Sequence, residues 1–247
     1  MIDLQQRQVD MSRAVPHVAQ VFPVIHHLDA ATTLDQADLA FDAGADGIFL
    51  ISHPGDDRAL PELGAQVKTA YPKKRAGLNL LGTAVMLSAH IVARYDLDML
   101  WIDHCGVSSA GITAVGKTLA DFQACHAKVE VFGSVAFKYQ AYEPSPASAA
   151  ALALQCGFIP TTSGPATGKP PTERVIAAMS LATGRRLAVA SGMTSENVAQ
   201  FAPYLSHVLV ATGVSTDGHH LDFKKLTQFI ARVRISASTV VPNEEDL

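Results

Sequence analysis

Two small-residue pairs near the end of the chain, Ser191-Gly192 and Thr212-Gly213, each follow a short apolar run, and together they have the character of an anion cradle. A glycine just past a strand lets the backbone come close to an anion and leaves its N–H groups unshielded, while the neighbouring hydroxyl adds a donor. A third segment, TTSGPATGKPP, offers Ser163, Gly164, Thr167 and Gly168 as a loop closing over the same anion. Phosphate is the anion expected here, because the last two loops of an eight-fold β/α barrel commonly hold one. The competing reading is that these glycines only make tight turns.

Other side chains could act on a ligand so anchored. Asp103 and Lys138 end the fourth and fifth apolar runs, and they form the expected catalytic pair. One carboxylate and one proton donor on opposite sides of a carbon serve ribosyl transfer and sugar isomerisation alike, with Asp103 as general base or oxocarbenium stabiliser and Lys138 as cation or acid. Alternation along the fifth run puts Ser134, Ala136 and Lys138 on one face, and a lysine above small residues needs an anion or a carboxylate. His26, Asp29 and Asn79 are expected to bind the substrate, the last two through its hydroxyls. A metal is not expected: adjacent His26 and His27 point to opposite faces of a strand, whereas chelating barrels place two histidines on one face. No cofactor is expected either. Cys105 reads as a small buried hydrophobe, Trp101 and Phe132 as packing, and Gly218-His219-His220 as a covering or surface loop.

These residues need elements to hold them. Apolar runs rich in β-branched residues stand at 22–28, 47–52, 76–81, 99–105, 129–137 and 158–163, followed by the two that precede the small-residue pairs. Ala-rich helical patterns alternate with them at 34–45, 60–71, 84–95, 119–129, 147–156, 173–182, 196–205 and 223–234. Eight strands alternating with eight helices require parallel pairing, and near-continuous apolar strands fit a sheet covered on both faces. An open dinucleotide-binding sheet would need G-x-G-x-x-G after the first strand, where this chain has HLDAAT. The expected fold is a single (β/α)8 barrel spanning all 247 residues, with a leader helix over 1–20 and a solvated acidic tail over 237–247.

With 19 basic against 23 acidic residues, the chain has no basic field for nucleic acid. Lys73-Lys74-Arg75 and Arg185-Arg186 read as solvated charges at strand entrances. Three cysteines without a C-x-x-C pairing suit a reducing compartment, and no apolar run reaches the roughly 20 residues of a membrane span or opens the chain as a signal peptide. The expectation is a cytoplasmic protein whose partners are a small phosphorylated ligand and, in a homo-oligomer, further copies of itself.

The segments TTSGPATGKPPTERV, LAVASGMTSENVAQF and HVLVATGVSTDGHHLDFKKLTQFI resemble the BtpA/SgcQ family of ribulose-phosphate-binding-like barrels, and RAGLNLLG and VAFKYQAYEP extend the similarity over most of 22–234. The resemblance implies a phosphate-binding barrel whose relatives serve as photosystem I assembly factors or nucleosidases. It also implies kinship with phosphoribosylanthranilate isomerase and tryptophan synthase α-type barrels. The first and third strands lack the proline-rich loop, the arginine and the acidic partner of that family. Isomerase, lyase and glycosidase chemistry all remain open, together with a Schiff-base aldolase using Lys138 and a non-catalytic assembly barrel.

Overall fold

The computed structural model describes residues 18–236. The leader and tail expectations fall outside them, except that Gln20 already begins a strand. Among the described residues, eight strands close into a parallel barrel: β1 (Gln20–His26), β2 (Gly47–Ile51), β3 (Arg75–Asn79), β4 (Met99–Ile102), β5 (Glu130–Ser134), β6 (Ile159–Thr162), β7 (Ala188–Ala190) and β8 (His207–Val210). Pairing of Gln20 with His207 and of Val24 with Phe49 joins β1 to both its neighbours, so the sheet has no edge. The crossover helices are α1 (Ala30–Asp42), α2 (Leu60–Ala70), α3 (Val85–Arg94), α4 (Ala114–Cys125), α5 (Pro146–Gln155), α6 (Glu173–Ala182), α7 (Val198–Phe201) and α8 (Phe223–Ser236).

Three helices differ from the sequence expectation for local reasons. α1 starts four residues earlier, at Ala30, because Asp29 caps it. α4 starts earlier because Thr113 caps it, accepting from the Gly116 N–H at 3.2 Å. α7 gives way to a 3-10 turn over Ala202–Tyr204, where Pro203 cannot donate to a continuing helix. A two-stranded hairpin, Val107–Ser108 with Gly111–Ile112, stands in the loop after β4 and has no counterpart in the sequence reading. No helix among the described residues is long and apolar enough to cross a membrane.

Alternation sorts each strand into an outward face under the helices and an inward face that fills the barrel. The inward set includes Phe22, Val24, Phe49, Ile51, Met99, Trp101, Phe132, Ile159, Ala188, Ala190 and Leu209. Phe22, Phe49 and Phe132 meet edge to face, with ring centroids 5.2 to 6.0 Å apart. The trio fits because β3 contributes Gly77 at this level: a Cβ there would stand 2.5 Å from the Phe49 ring. Below it the Arg75 guanidinium lies 4.6 Å over the Phe22 ring and bonds Glu130 and Gln20, so Arg75 seals the barrel bottom instead of being a solvated charge. Outside, Asp46 and Asp98, each one residue before a strand, accept from the N–H of Val21 (2.7 Å) and Ala76 (2.9 Å) on the neighbouring strand. Arg234 of α8 grips Asp46 at 2.7 and 2.9 Å, tying the last helix to the first strands.

The aromatic layer makes one position sensitive to a single methyl group. Gly77→Ala should cost about 1 to 3 kcal/mol by overpacking, lowering the melting temperature by about 2 to 4 °C per kcal/mol for a domain of this size. Thermal unfolding followed by circular dichroism checks this, and an unchanged midpoint would mean that the layer repacks freely.

Candidate active site

The inward residues one layer above the aromatic trio open a cavity of about 540 Å³ at the C-terminal end of the strands. Small residues make it: Ala190 and Ala211 line the β7–β8 side, while Trp101 and Phe137 form an apolar wall on the other. The Trp101 indole N–H is satisfied by Ser134 Oγ at 3.0 Å. The strand-end side chains of the cavity are His26 from β1, His53 just past β2, Asn79 from β3 and Asp103 just past β4. His53 did not emerge from the sequence reading, although alternation from Phe49 and Ile51 leads directly to it.

Asp103 is mostly buried and accepts from Asn79 Nδ2 at 3.1 Å. Burial raises its carboxyl above the ordinary value, against the opposing pull of Asn79, His104, Lys138 and His53. His26 is pushed down to about 4 by burial, with smaller contributions from His53, His219 and Lys138, so it is a neutral imidazole at neutral pH. Its neighbour His27 lies outside the cavity with Nδ1 2.8 Å from Thr33 Oγ1, as alternation requires.

Lys138 lines the cavity by a route other than the one expected. β5 ends at Ser134, Ala136 takes a left-handed backbone (φ 48°) and Tyr139 another (φ 66°), so strand parity no longer applies where Lys138 stands. The turn is held by Gln140, whose Oε1 accepts from the Phe137 N–H at 3.1 Å and whose Nε2 donates to the carbonyls of Ser134 and Asp103. Lys138 Nζ reaches Thr167 Oγ1 at 3.2 Å, and no ion pair joins it to Asp103 among the described residues.

The phosphate-type loops meet at the same mouth. Thr167, Gly168, Ser191, Gly192, Thr212 and Gly213 all line the cavity. Ser191 is a non-glycine residue at φ 104°, a costly backbone of the kind found at ligand clamps, and its Oγ accepts from the Gly168 N–H at 3.2 Å. Asn197 fixes the turn from within, donating to Gly192 O and accepting from Thr194 N–H, each at 2.8 Å. The N–H groups of Gly192 and Gly213 find no backbone acceptor among the described residues.

The glycines themselves also have a packing reason. A Cβ on Gly192 would stand 2.3 Å from Pro170 N, and one on Gly213 would stand 2.0 Å from Met193 O. Gly164 is the same: its Cβ would lie 1.9 Å from Lys169 O, and it does not line the cavity. Ser163 is buried behind the cavity, accepting the Lys138 N–H at 2.8 Å and donating to Gly164 O at 2.9 Å, which makes it a support of the Lys138 turn. Asp29 does not line the cavity either. It is the exposed N-cap of α1, accepting from Thr32 N–H at 2.9 Å and Thr32 Oγ1 at 2.7 Å.

Cys105 is a structural thiol, bonded to Ser134 O at 3.3 Å and pushed up to about 12 by burial. No group of three or more His, Cys, Asp or Glu side chains is arranged to hold a metal ion among the described residues.

No model of a known protein family matches the chain. It is, however, 30% identical over 214 residues to the N-(5'-phosphoribosyl)anthranilate isomerase of Roseiflexus sp. (strain RS-1), covering 83% of this chain and 95% of the relative. The chain belongs to the N-(5'-phosphoribosyl)anthranilate isomerase family. The phosphoribosyl anthranilate isomerase of Thermus thermophilus shares the fold, superposing with a TM-score of 0.64 at 17% identity over 87% of this chain and 98% of that one. The 2-keto-3-deoxy-6-phosphogluconate aldolase of Zymomonas mobilis ZM4, solved with 3-phosphoglycerate, shares the barrel at a TM-score of 0.59 and 16% identity, over 91% and 95% of the two chains. For this member of the isomerase family, the sequence relationship lies with the Roseiflexus enzyme, and the two solved structures share the barrel fold.

The low value of His26 has a thermodynamic consequence. In the unfolded chain this imidazole protonates near 6.5, whereas in the fold it resists until about 4. Stability should therefore fall as pH drops from about 6.5 towards 4. Asp103, whose carboxyl is raised, works in the opposite sense. Melting curves across the window should show a shallower acid loss for His26→Asn than for the parent, and parallel curves would mean that the imidazole is not so placed.

Proposed function

We propose that the enzyme binds the phosphate of a small phosphorylated, sugar-like metabolite between loops β7 and β8 and moves a proton within the rest of the molecule in the cavity beneath. A phosphate-binding barrel enzyme with isomerase or lyase chemistry is what membership of the family supports. The observation that carries the residue-level reading is a single cavity lined by both Ser191-Gly192 and Thr212-Gly213 and, across from them, by Asp103, Asn79 and Lys138.

In this reading Ser191, Thr212 and the free N–H groups of Gly192 and Gly213 hold the phosphate oxygens, and Thr167 and Gly168 close the mouth. Asn79 and His26 orient hydroxyl or carbonyl oxygens. Asp103, with a carboxyl that holds its proton more readily than an ordinary one, exchanges that proton with the reacting carbon or oxygen. Lys138 supplies the positive charge that stabilises the enolate-like intermediate of such a transfer. Free thiols at Cys105, Cys125 and Cys156 support a cytoplasmic setting.

The likeness of the last third to BtpA/SgcQ barrels belongs to the same proposal, since it covers the phosphate loops. In a non-catalytic barrel of that kind Asp103 and Lys138 would be dispensable. Lys138 at the cavity wall also keeps a Schiff-base lyase in view, and borohydride trapping with a phosphorylated keto acid separates it from proton transfer.

Ribose 5-phosphate is the first probe. At about one hundred times its dissociation constant it should add about 2.7 kcal/mol of stability, or about 5 to 11 °C in melting temperature. Substituting the glycines would collide with neighbouring backbone, so the informative variant is Ser191→Gly with Thr212→Val, which removes two hydroxyls and relaxes the backbone at 191. It should lose most of the shift while the unliganded midpoint holds; a full shift would place the phosphate elsewhere. Once turnover is measured, Asp103→Asn and Lys138→Met should each lower it about 10²-fold or more while ribose 5-phosphate affinity changes little. Normal turnover in both variants would remove the pair from the mechanism.

A further inference from the structure

One large side chain at the mouth of the cavity stands in strained backbone without being packed. The Gln140 N–H donates to Phe137 O at 3.1 Å, which makes Lys138 and Tyr139 the central pair of a β-turn. Tyr139 holds the second of these places at φ 66°, where glycine or asparagine is favoured and a bulky residue is strained. Burial does not offset the strain, because Tyr139 is 78% exposed. It nevertheless lines the cavity, together with Lys138, Thr167 and Gly168.

The hydroxyl of this side chain is poorly matched as well. Among the described residues it reaches Thr167 Oγ1 alone, at 3.4 Å, a long contact for two hydroxyls. Lys138 Nζ approaches the same Oγ1 at 3.2 Å. An ammonium can only donate, so Thr167 accepts from Lys138 and has its own proton to give to Tyr139. The chain of donors then ends on the phenol O–H, which has no acceptor among the described residues. The Thr167 bond, and after it the Lys138 charge, hold the phenol below its ordinary value, which makes it a stronger donor. Gly168, the residue after Thr167, bonds Ser191 Oγ at 3.2 Å, so the donor chain adjoins the β7 loop.

We infer that Tyr139 is a ligand-binding residue of the cavity, whose hydroxyl donates to a phosphate oxygen of the bound metabolite from the β5 side and whose ring covers that oxygen from solvent. The inference rests on the phosphate reading above and adds to it a group from outside the β7 and β8 loops. Its physical basis is a donor without an acceptor, held at the mouth by strained backbone. A phosphate oxygen accepts from the phenol in a charge-assisted bond, and closing the ring over it takes apolar surface out of water. The ligand thereby supplies the acceptor and the burial that the protein alone does not, which is the setting in which backbone strain persists at ligand clamps. Thr167 remains the relay between the phenol and Lys138, whose ammonium has two further N–H groups for the reacting centre.

The test separates the hydroxyl from the turn that carries it. Calorimetric titration of the full chain with ribose 5-phosphate reads affinity, and the phosphorus resonance of the bound ligand reads the surroundings of its phosphate. Tyr139→Phe keeps the ring and the backbone and removes the donor alone. It should bind ribose 5-phosphate about tenfold more weakly than the parent, the scale of one hydrogen bond to a charged group, and shift the bound phosphorus resonance. Its unliganded melting midpoint should not change. Tyr139→Gly relaxes the turn as well, so its affinity should fall at least as far while its midpoint holds or rises.

Full affinity in Tyr139→Phe would overturn the inference and leave the phosphate reading standing. Weaker binding with an unmoved phosphorus resonance would overturn it too, by putting the phenol on the sugar. A lower midpoint with unaltered affinity in Tyr139→Gly would make Tyr139 a structural residue and nothing more. Failure of the parent to bind ribose 5-phosphate would bring down both readings.

Discussion

Everything functional in this barrel stands on three phenylalanines. Phe22, Phe49 and Phe132 converge from β1, β2 and β5 and fill the centre edge to face, and they can do so because β3 offers a glycine at the same height. A closed eight-stranded sheet leaves just enough interior for side chains, so whatever occupies one layer dictates the room in the next. The bulk concentrated in that layer is what allows the one above to hold Ala190 and Ala211 on one side and still exclude solvent from beneath. The cavity is therefore blind: Arg75, stacked on Phe22, closes the bottom, and ligands come and go only past the loops.

The same layering explains why the polar groups of the mouth differ in character though they lie close together. Asp103 and His26 sit on strand ends whose inward neighbours are apolar, and burial moves both towards their neutral forms. Burial thus sets the Asp103 carboxyl and the His26 imidazole apart from fully solvated groups of the same kind. Lys138 and Ser191, by contrast, ride on turns. Their positions depend on the backbone strain at Ala136, Tyr139 and Ser191 and on the side-chain amides of Gln140 and Asn197 that hold those turns.

This division also marks what could be read in the chain alone. The alternation of apolar runs and helical patterns is a local property repeated eight times, so the barrel and nearly all of its elements were legible. Where a side chain belongs to a strand, alternation was sufficient: it separates His26 from His27 and carries Met99 and Trp101 through to Asp103. It would have reached His53 as well, had the β2 run been followed past Ile51. It fails at Lys138, because β5 stops four residues earlier and the turn that follows is set by Gln140 across two strands. Asp29 shows another blind spot. A carboxylate at a strand end has the same appearance as one placed to cap the next helix, and here the local bond to Thr32 takes it. Ser163 and Gly164 carry the composition of a phosphate loop but face the loop behind, a contact that no spacing in the sequence records.

The glycines of that region have a further meaning. The volume a Cβ would need at Gly164 and Gly192 is filled by the backbone of Lys169 and Pro170, and at Gly213 by the carbonyl of Met193. At these points the three loops are thus fitted to one another main chain against main chain. Barrels of this kind diversify by altering one loop at a time, and here the loops after β6, β7 and β8 withhold that freedom. Any descendant or engineered variant with a new reaction has to take those three as one piece, and a change at the Lys138 turn draws in Asp103 and Ser163, to which Gln140 and the Lys138 N–H bond.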